Sequence, residues 1–303
     1  MSCSHPLFMV DRGVKENGKR DLIFATQVSS NLGLSMDELK ARYGDRLVPV
    51  PCGKCVGCQL DHSKEWATRC VLESLDYEDN SFLTLTYAKE PRRLSKRAVQ
   101  LFMKRVRKAH PDILIRFFAC GEKGEKSGRR HYHVLLFGYG FPDKQFYNCI
   151  EGNDYYTSYE LRRLWPYGIS IIGAVSKQSA AYVARYTMKK QGKAKDPEEF
   201  ILMSRNPGIG YKWFSEHKDV IYLSDHIYGD FGSSHVASVP KYFDKLAEKN
   251  GLDLSSIKDN RIRLAMNYDL LARRLYHAEA GEALNSLFEE LLLKRIKYLR
   301  RNL

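Results

Sequence analysis

His131-Tyr132-His133 opens an apolar run, Val134-Leu135-Leu136-Phe137, that ends at Gly138. On a strand, residues two apart share a face. Both imidazoles then point one way and Tyr132 the other. Glu122 closes an earlier apolar run, Ile113 to Cys120, and residues 123–130 between them read as a hairpin loop. Folding that hairpin brings Glu122 beside the two histidines. Two imidazoles and a carboxylate suit Mg²⁺ or Mn²⁺, with coordination positions left for substrate oxygens. An ordinary half-exposed histidine pair is the bland alternative. Glu125 is the alternative carboxylate if the hairpin register differs.

A second element follows at Ser179 to Lys190, alanine-containing and free of internal Gly or Pro. It reads as a helix. Tyr182 and Tyr186 are four apart and share a face. Lys189 lies seven residues from Tyr182, within about 20° of its direction, and Lys190 lies four from Tyr186. The spacing favours Lys189 as the assisting ammonium. Phenols beside a lysine, facing a metal, suit attack on a phosphate. The metal polarises phosphorus, a phenol oxygen is the nucleophile, and lysine offsets developing charge. The alternative is a helix that merely buries two tyrosines against a sheet.

Cys52, Cys55 and Cys58 sit three apart in a Gly-containing turn. Three thiolates in seven residues point to a soft metal, with zinc the default. Four closed ligands would make that site structural. The fourth ligand is open among Cys3, Cys70, His5 and His62. An unmetallated set of buried thiols is the competing reading. Short CxxC spacings point to a reducing cytoplasm rather than to disulfides.

The chain carries 49 Lys and Arg against 36 Asp and Glu, a formal charge of +13. Such a surplus predicts a polyanionic partner. Residues 89–108 hold nine basic side chains and one acid, and residues 177–195 hold six and none. The two stretches flank the proposed site in sequence, as a channel for a phosphate backbone requires. No run reaches the 18 apolar residues of a membrane span, and no leader pattern is expected at the start. No GxxxxGK[ST] is present, so any duplex unwinding falls to a separate helicase.

Three regions are expected: residues 1–76, carrying the cysteines; 77–215, catalytic; and 216–303, mainly helical. Residues 1–60 look irregular apart from a strand over Leu22–Val28. A helix is expected over 59–76, carrying Trp66 and Leu72 inward. Strands are expected at 81–87, 112–120, 131–138 and 169–173. Between the first two, a basic amphipathic helix begins at Ser95 and buries Val99, Phe102, Met103 and Val106. Residues 140–160 read as a polar, tyrosine-rich insertion. Residues 193–197 read as a linker. Leu271, Leu275, Leu287, Leu291, Leu292 and Leu293 give a helical pattern before a basic end at 294–301, for which packing is the first role. The layout is α+β, with helices on a largely antiparallel sheet.

These residues resemble a known family. His131-Tyr132-His133 looks like the His-hydrophobic-His motif of the HUH endonucleases, which initiate rolling-circle replication. Tyr182-x3-Tyr186 looks like their two-tyrosine motif, and Phe82-Leu83-Thr84-Leu85-Thr86-Tyr87 like their first motif. The wider resemblance is to replication initiators of the microviruses, best the gokushovirus branch. It extends to Cys3-Ser4-His5-Pro6, Pro51 to Cys58, Trp66-Ala67-Thr68-Arg69-Cys70, Cys120-Gly121-Glu122 and the segment from Glu199 to Gly210, and covers roughly residues 1 to 215. Arg130 departs from it, standing where that family usually has proline.

The resemblance implies the HUH fold and Cys3 as fourth zinc ligand beside Cys52, Cys55 and Cys58, with Cys70 as runner-up. It implies catalytic Mg²⁺ or Mn²⁺ on Glu122, His131 and His133. The substrate is single-stranded phage origin DNA. Tyr182 or Tyr186 attacks, leaving a 5′-phosphotyrosine and a 3′-OH for host polymerase. The second tyrosine later cleaves the regenerated origin, and the circle is closed. Host helicase and polymerase are the expected partners, in the cytoplasm of a bacterial host, with no membrane and a monomer favoured. Rival readings are a non-enzymatic, zinc-containing nucleic-acid-binding protein, or a plasmid initiator, relaxase or transposase of the same fold.

Overall fold

The computed structural model describes residues 3–16, 20–124, 128–189, 198–229, 236–275 and 289–294. Glu125, Lys190, the 193–197 linker, Leu287 and the basic end from 295 onward lie outside them, as do the side chains of Lys189, Leu271 and Leu275. The chain forms two compact units, residues 1–61 with 246–303 and residues 62–245. These boundaries do not coincide with the divisions expected at 76 and 215. Regions distant in sequence share the first unit.

The first unit is more regular than its sequence suggests. β1 (Leu7–Val14) is the centre of a three-stranded antiparallel sheet, flanked by β2 (Arg20–Phe24) and by β3 (Leu47–Val50), which comes later in the chain. Between them lie α1 (Ala25–Leu32) and α2 (Met36–Tyr43). The strand expected over 22–28 therefore ends at Phe24, and Ala25 begins a helix. α2 starts with a capping box: Ser35 accepts from the Glu38 amide, and Glu38 accepts from the Ser35 amide. Val10, Ala25, Val28, Leu39 and Leu47 form the core.

The second unit holds most of α3 (Val56–Leu75) and a seven-stranded sheet. The strands are β4 (Asn80–Leu85), β5 (Arg116–Lys123), β6 (Arg130–Phe137), β7 (Gln145–Ile150), β8 (Asn153–Thr157), β9 (Ser170–Gly173) and β10 (Phe200–Met203). Their order is β10-β5-β6-β4-β9-β8-β7, and every pairing is antiparallel. The insertion expected at 140–160 is the β7–β8 hairpin, which extends the sheet at its edge. The helices α4 (Lys96–Ala109), α5 (Tyr159–Leu164), α6 (Lys177–Ala184) and α7 (Tyr186–Lys189) fall between strands. α8 (Tyr211–Ser224), a small hairpin of β11 (His226–Tyr228) and β12 (Val236–Ser238), and α9 (Lys241–Lys249) follow β10.

Strand alternation sorts the side chains onto two faces. Tyr132, Val134 and Leu136 point to one face, where Val99, Phe102, Met103 and Val106 of α4 and Leu161 and Trp165 cover them. Leu135 and Phe137 point to the other, where they join Cys70 of α3 and Ala180 and Val183 of α6. Burying an aliphatic or aromatic side chain is worth about 1.5–3 kcal/mol, so each face strongly resists a one-residue slip of register. α10 (Ser255–Leu275) belongs to the first unit, where it packs on β3 and Asp259 pairs with Arg20 at 2.8 Å. Residues 289–294 are helical, and Glu289 pairs with His5 at 2.9 Å. Among the described residues no helix is long and apolar enough to cross a membrane. The fold is thus mixed α+β, with a central antiparallel sheet, flanking helices, an amino-terminal cysteine cluster able to chelate a metal, and carboxy-terminal helices.

Candidate active site

The β5–β6 register sets Glu122 directly opposite His131, and Cys120 opposite His133. All four side chains share one face of the sheet. Gly121, between them, takes the other face. A Cβ there would stand 2.8 Å from Phe200 and 3.2 Å from Tyr132, so any larger residue would push the strands apart. That accounts for the glycine in Cys120-Gly121-Glu122.

Three donor atoms converge. His131 Nε2 is 2.6 Å from Glu122 Oε1, His133 Nε2 is 3.4 Å from the same oxygen, and the two Nε2 atoms are 3.1 Å apart. His131 Nδ1 lies 2.9 Å from the Arg129 carbonyl oxygen, which can only accept. Nδ1 of His131 therefore carries a proton, and the lone pair of a neutral ring sits on Nε2. A lone pair cannot face a carboxylate oxygen at 2.6 Å without a cation, either a proton or a metal ion, between or beside them. Glu122 Oε2 is buried and has no hydrogen-bond partner in the protein. The residues fit a divalent ion: ligand atoms within 4.8 Å of one another, a carboxylate with spare acceptor capacity, and only three ligands.

Burial raises the Glu122 carboxyl, but hydrogen bonds from His131 and His133 outweigh it and hold the group at about 2. Glu122 is therefore ionised at neutral pH. Burial pushes the His133 imidazole below its ordinary value, partly against the Glu122 carboxylate, so this ring is disposed to be neutral and able to ligate.

The tyrosine helix covers this face. It begins two residues earlier than expected, at Lys177. Ser176 caps it by accepting from the Ser179 amide, and Ser179 Oγ accepts from the Ser176 amide. A turn at Arg185 divides the helix expected over 179–190 into α6 and α7. The shared face survives that break. Tyr182 hydroxyl donates to Glu122 Oε1 at 3.0 Å, and Tyr186 hydroxyl donates to Tyr182 oxygen at 3.3 Å. The Tyr182 ring stands edge-on to His133 at 5.0 Å. Burial, then the Glu122 carboxylate, raises the Tyr182 phenol above its ordinary value, so it is protonated at rest. Tyr132 is fully buried on the opposite face, away from this chemistry.

Two residues of β4 complete the site, and motif spacing alone did not expose them. Thr84 Oγ1 lies 3.1 Å from His133 Nδ1, and the Phe82 ring stacks on His133 at 5.3 Å. Both sit in the Phe82–Tyr87 stretch, on the parity that faces His133. That parity was the available signal. The basic stretch at 89–108 needs a correction. α4 packs on the sheet face away from the histidines, so its basic residues do not line the metal-facing side.

The other motif residues hold the unit together. The Arg69 guanidinium lies 4.0 Å from both the Trp66 and Tyr242 ring centroids, and its Nε donates to the Ile209 carbonyl at 3.0 Å. Glu73 pairs with Arg116 and accepts from the Gly210 amide at 2.5 Å. Arg116 also donates to the Pro207 carbonyl at 2.8 Å. The Pro207–Gly210 segment is thereby fastened to α3. Arg130 donates to Glu90 at 2.8 Å and through two nitrogens to Glu198, tying the start of β6 to the approach to β10.

In the first unit, Cys3 joins Cys52, Cys55 and Cys58. Cys3 and Cys55 sulfurs are 3.7 Å apart, and Cys52 and Cys58 sulfurs 3.9 Å. These gaps are far too long for disulfides, about 2.05 Å. They match the edge of a tetrahedron with bonds of about 2.3 Å, roughly 3.8 Å. Amides of Cys52, Lys54, Cys55 and Cys58 aim at the sulfurs, as thiolate ligands require. Cys70 is buried in the core of the other unit, His5 pairs with Glu289, and His62 accepts from the Trp66 indole N–H at 3.3 Å.

Comparison with known proteins bears on this geometry. The family of replication-associated proteins of the ORF2 type matches residues 80–191, which run from β4 past the tyrosine helix. Replication-associated protein ORF2 of Spiroplasma virus 4 is 36% identical over 240 residues, 71% of this chain and 74% of its own. Replication-associated protein VP4 of Bdellovibrio phage phiMH2K is 32% identical over 229 residues, 71% of this chain and 72% of its own. Replication-associated protein ORF4 of Chlamydia phage 1 is 33% identical over 225 residues, 66% of this chain and 54% of its own. No solved structure matches the chain.

Proposed function

We propose, from the premise that the chain belongs to the HUH-type replication-associated proteins, that it starts rolling-circle DNA replication by nicking single-stranded origin DNA through Tyr182. The observation that carries this reading is the contact of the Tyr182 hydroxyl with Glu122, inside the cluster that Glu122 makes with His131 and His133. A nucleophile belongs where the phosphorus is activated. Glu122, His131 and His133 would hold Mg²⁺ or Mn²⁺, which supplies Lewis-acid polarisation of the scissile phosphate. Attack by the Tyr182 oxygen forms a phosphotyrosine bond on the 5′ side. It breaks the bond from phosphorus to the 3′ oxygen, which takes a proton and becomes a 3′-OH primer. Tyr186 lies one hydrogen bond behind and serves the second cleavage, which precedes rejoining of the circle. Lys189 and Lys190 are the candidate ammonium groups for the charge on the pentavalent phosphorus.

Cys3, Cys52, Cys55 and Cys58 would hold a structural zinc, whose contribution is to fold the amino-terminal region. We assign the chain to a bacteriophage of the gokushovirus branch, acting as a monomer in the host cytoplasm with host helicase and polymerase. The expected division at 76 and 215 is kept as a functional one, with chemistry in 77–215. A purely non-enzymatic zinc knuckle would leave the convergence of Glu122, His131, His133 and Tyr182 without a use.

Mass mapping of the DNA-linked peptide tests the mechanism. With a short single-stranded origin oligonucleotide and Mn²⁺, the adduct is expected on Tyr182. An adduct on Tyr211, or on any residue outside Tyr182 and Tyr186, overturns the mechanism and leaves the metal site standing.

A further inference from the structure

The two histidines of the cluster are held from behind by different kinds of atom. His131 Nδ1 faces the Arg129 carbonyl, which accepts and never donates. His133 Nδ1 faces the Thr84 hydroxyl at 3.1 Å, which can do either. Thr84 is paired with His133 across β4 and β6, so its position is set by sheet register rather than by a flexible loop. The other edge of β4 is paired too, Thr84 opposite Ile171 of β9. The Phe82 ring, two residues back on the same face, lies at 17° to the His133 ring and restricts its rotation. His133 is buried, so a bare Nδ1 would be costly in either protonation state.

We propose that Thr84 is a positioning residue for the metal site, its hydroxyl acting as the reversible partner of His133 Nδ1. When Nε2 carries the proton, it can donate toward Glu122 Oε1, and Thr84 donates to Nδ1. When Nε2 gives its lone pair to an ion, the proton sits on Nδ1 and Thr84 accepts it. The proton count on the ring does not change; only the nitrogen that carries it does. A carbonyl at this place would impose one tautomer, and an apolar side chain would satisfy neither. Partners of this outer kind commonly set metal affinity about 10–100-fold. This assignment gives Thr84, within the Phe82–Tyr87 strand, a chemical task. It rests on reading Glu122, His131 and His133 as a divalent-metal site.

The test uses the full chain with Thr84→Val, which keeps the branched shape and removes the hydroxyl, and Thr84→Ser, which keeps the hydroxyl. Mn²⁺ affinity is measured by calorimetry or by electron paramagnetic resonance. The His133 tautomer is read from ring ¹⁵N shifts with and without Mg²⁺. Thr84→Val should lose about 10–100-fold in Mn²⁺ affinity with unchanged circular dichroism, and Thr84→Ser should stay within about threefold of wild type. In the wild-type protein Mg²⁺ should move the His133 proton to Nδ1. Wild-type affinity in Thr84→Val, or equal losses in both variants, overturns the proposal, as does an Nε2-protonated His133 with Mg²⁺ bound. Should the wild-type chain bind no Mn²⁺ or Mg²⁺ at all, the metal reading fails together with this one. Loss of nicking with intact Mn²⁺ binding and the expected tautomer would instead fault the mechanism alone.

Discussion

Cys52, Cys55 and Cys58 come within reach of one another through a single turn and the start of α3, whereas Glu122 meets His131 and His133 only because β5 and β6 pair in one register. The first cluster draws one ligand, Cys3, from elsewhere in the chain. The second depends on a whole sheet with helices on both faces. Their chemistry differs in the same direction. Four soft sulfurs close a tetrahedron and leave no place for substrate. Three hard or borderline donors leave coordination open and place a phenol at 3.0 Å. A closed cluster made by a turn stabilises its own neighbourhood. An open cluster made by tertiary pairing is supported by the fold and is available for reaction.

Removing one sulfur tests that contrast most severely. Cys58→Ser should release the metal from the first unit and cost it up to about 10 kcal/mol, on the scale of structural zinc sites. Elemental analysis should fall from about one zinc per chain to none, and limited proteolysis should open residues 1–61. A folded, protease-resistant Cys58→Ser protein would make the cluster ornamental.

Glu122→Gln should do the reverse, sparing the fold and stopping the chemistry. Nicking of a single-stranded oligonucleotide should drop by roughly a thousandfold, the several kcal/mol that a catalytic ion supplies. The double variant His131→Ala/His133→Ala should behave alike and still bind DNA. Gel-shift and cleavage assays with Mn²⁺ would separate the two properties. Cleavage at the wild-type rate would remove the cluster from the mechanism.

Acid should weaken the second unit in the metal-free protein. The Glu122 carboxyl is depressed to about 2, below its ordinary 4.5, so its contribution is present above 4.5 and lost as pH falls toward 2. Depressed His133 acts with the same sign, since the unfolded ring takes up a proton first as pH falls below 6.5. Denaturant midpoints in chelator between pH 7 and 3 should fall by an amount on the order of 2 kcal/mol, and Glu122→Gln should lack the lower part of that loss. A flat profile would mean that the hydrogen bonds to Glu122 add nothing to stability.

The smallest effect concerns the helix that presents the tyrosine. Ser176→Ala removes the α6 cap and should cost about 1 kcal/mol, lowering the melting temperature by a few degrees. Its nicking rate should fall less than that of Tyr182→Phe, because the cap holds the helix and not the phosphate. A larger loss in Ser176→Ala would give the capping turn a direct part in the reaction.

Much of this was legible along the chain. Period-two alternation set His131 and His133 together and Tyr132 apart, the helical period set Tyr182 beside Tyr186, and the apolar spacing of Val99, Phe102, Met103 and Val106 marked the buried side of α4. Each is a property of one element, decided by its repeat. The irregular reading of residues 1–60 failed for a related reason. β1 and β2 leave mostly half-covered and exposed side chains, so they lack a clean apolar alternation to read.

What only the tertiary structure decided lies between elements. That Glu122 stands opposite His131, that Thr84 backs His133, and that Arg69, Glu73 and Arg116 fasten the 207–210 segment all depend on strand order and helix placement. The side of the sheet taken by α4, and with it the fate of that basic stretch, was settled by packing. Local sequence sets the direction of a side chain relative to its own backbone. It does not set which neighbour that side chain meets, because that follows from burying both faces of one sheet at once.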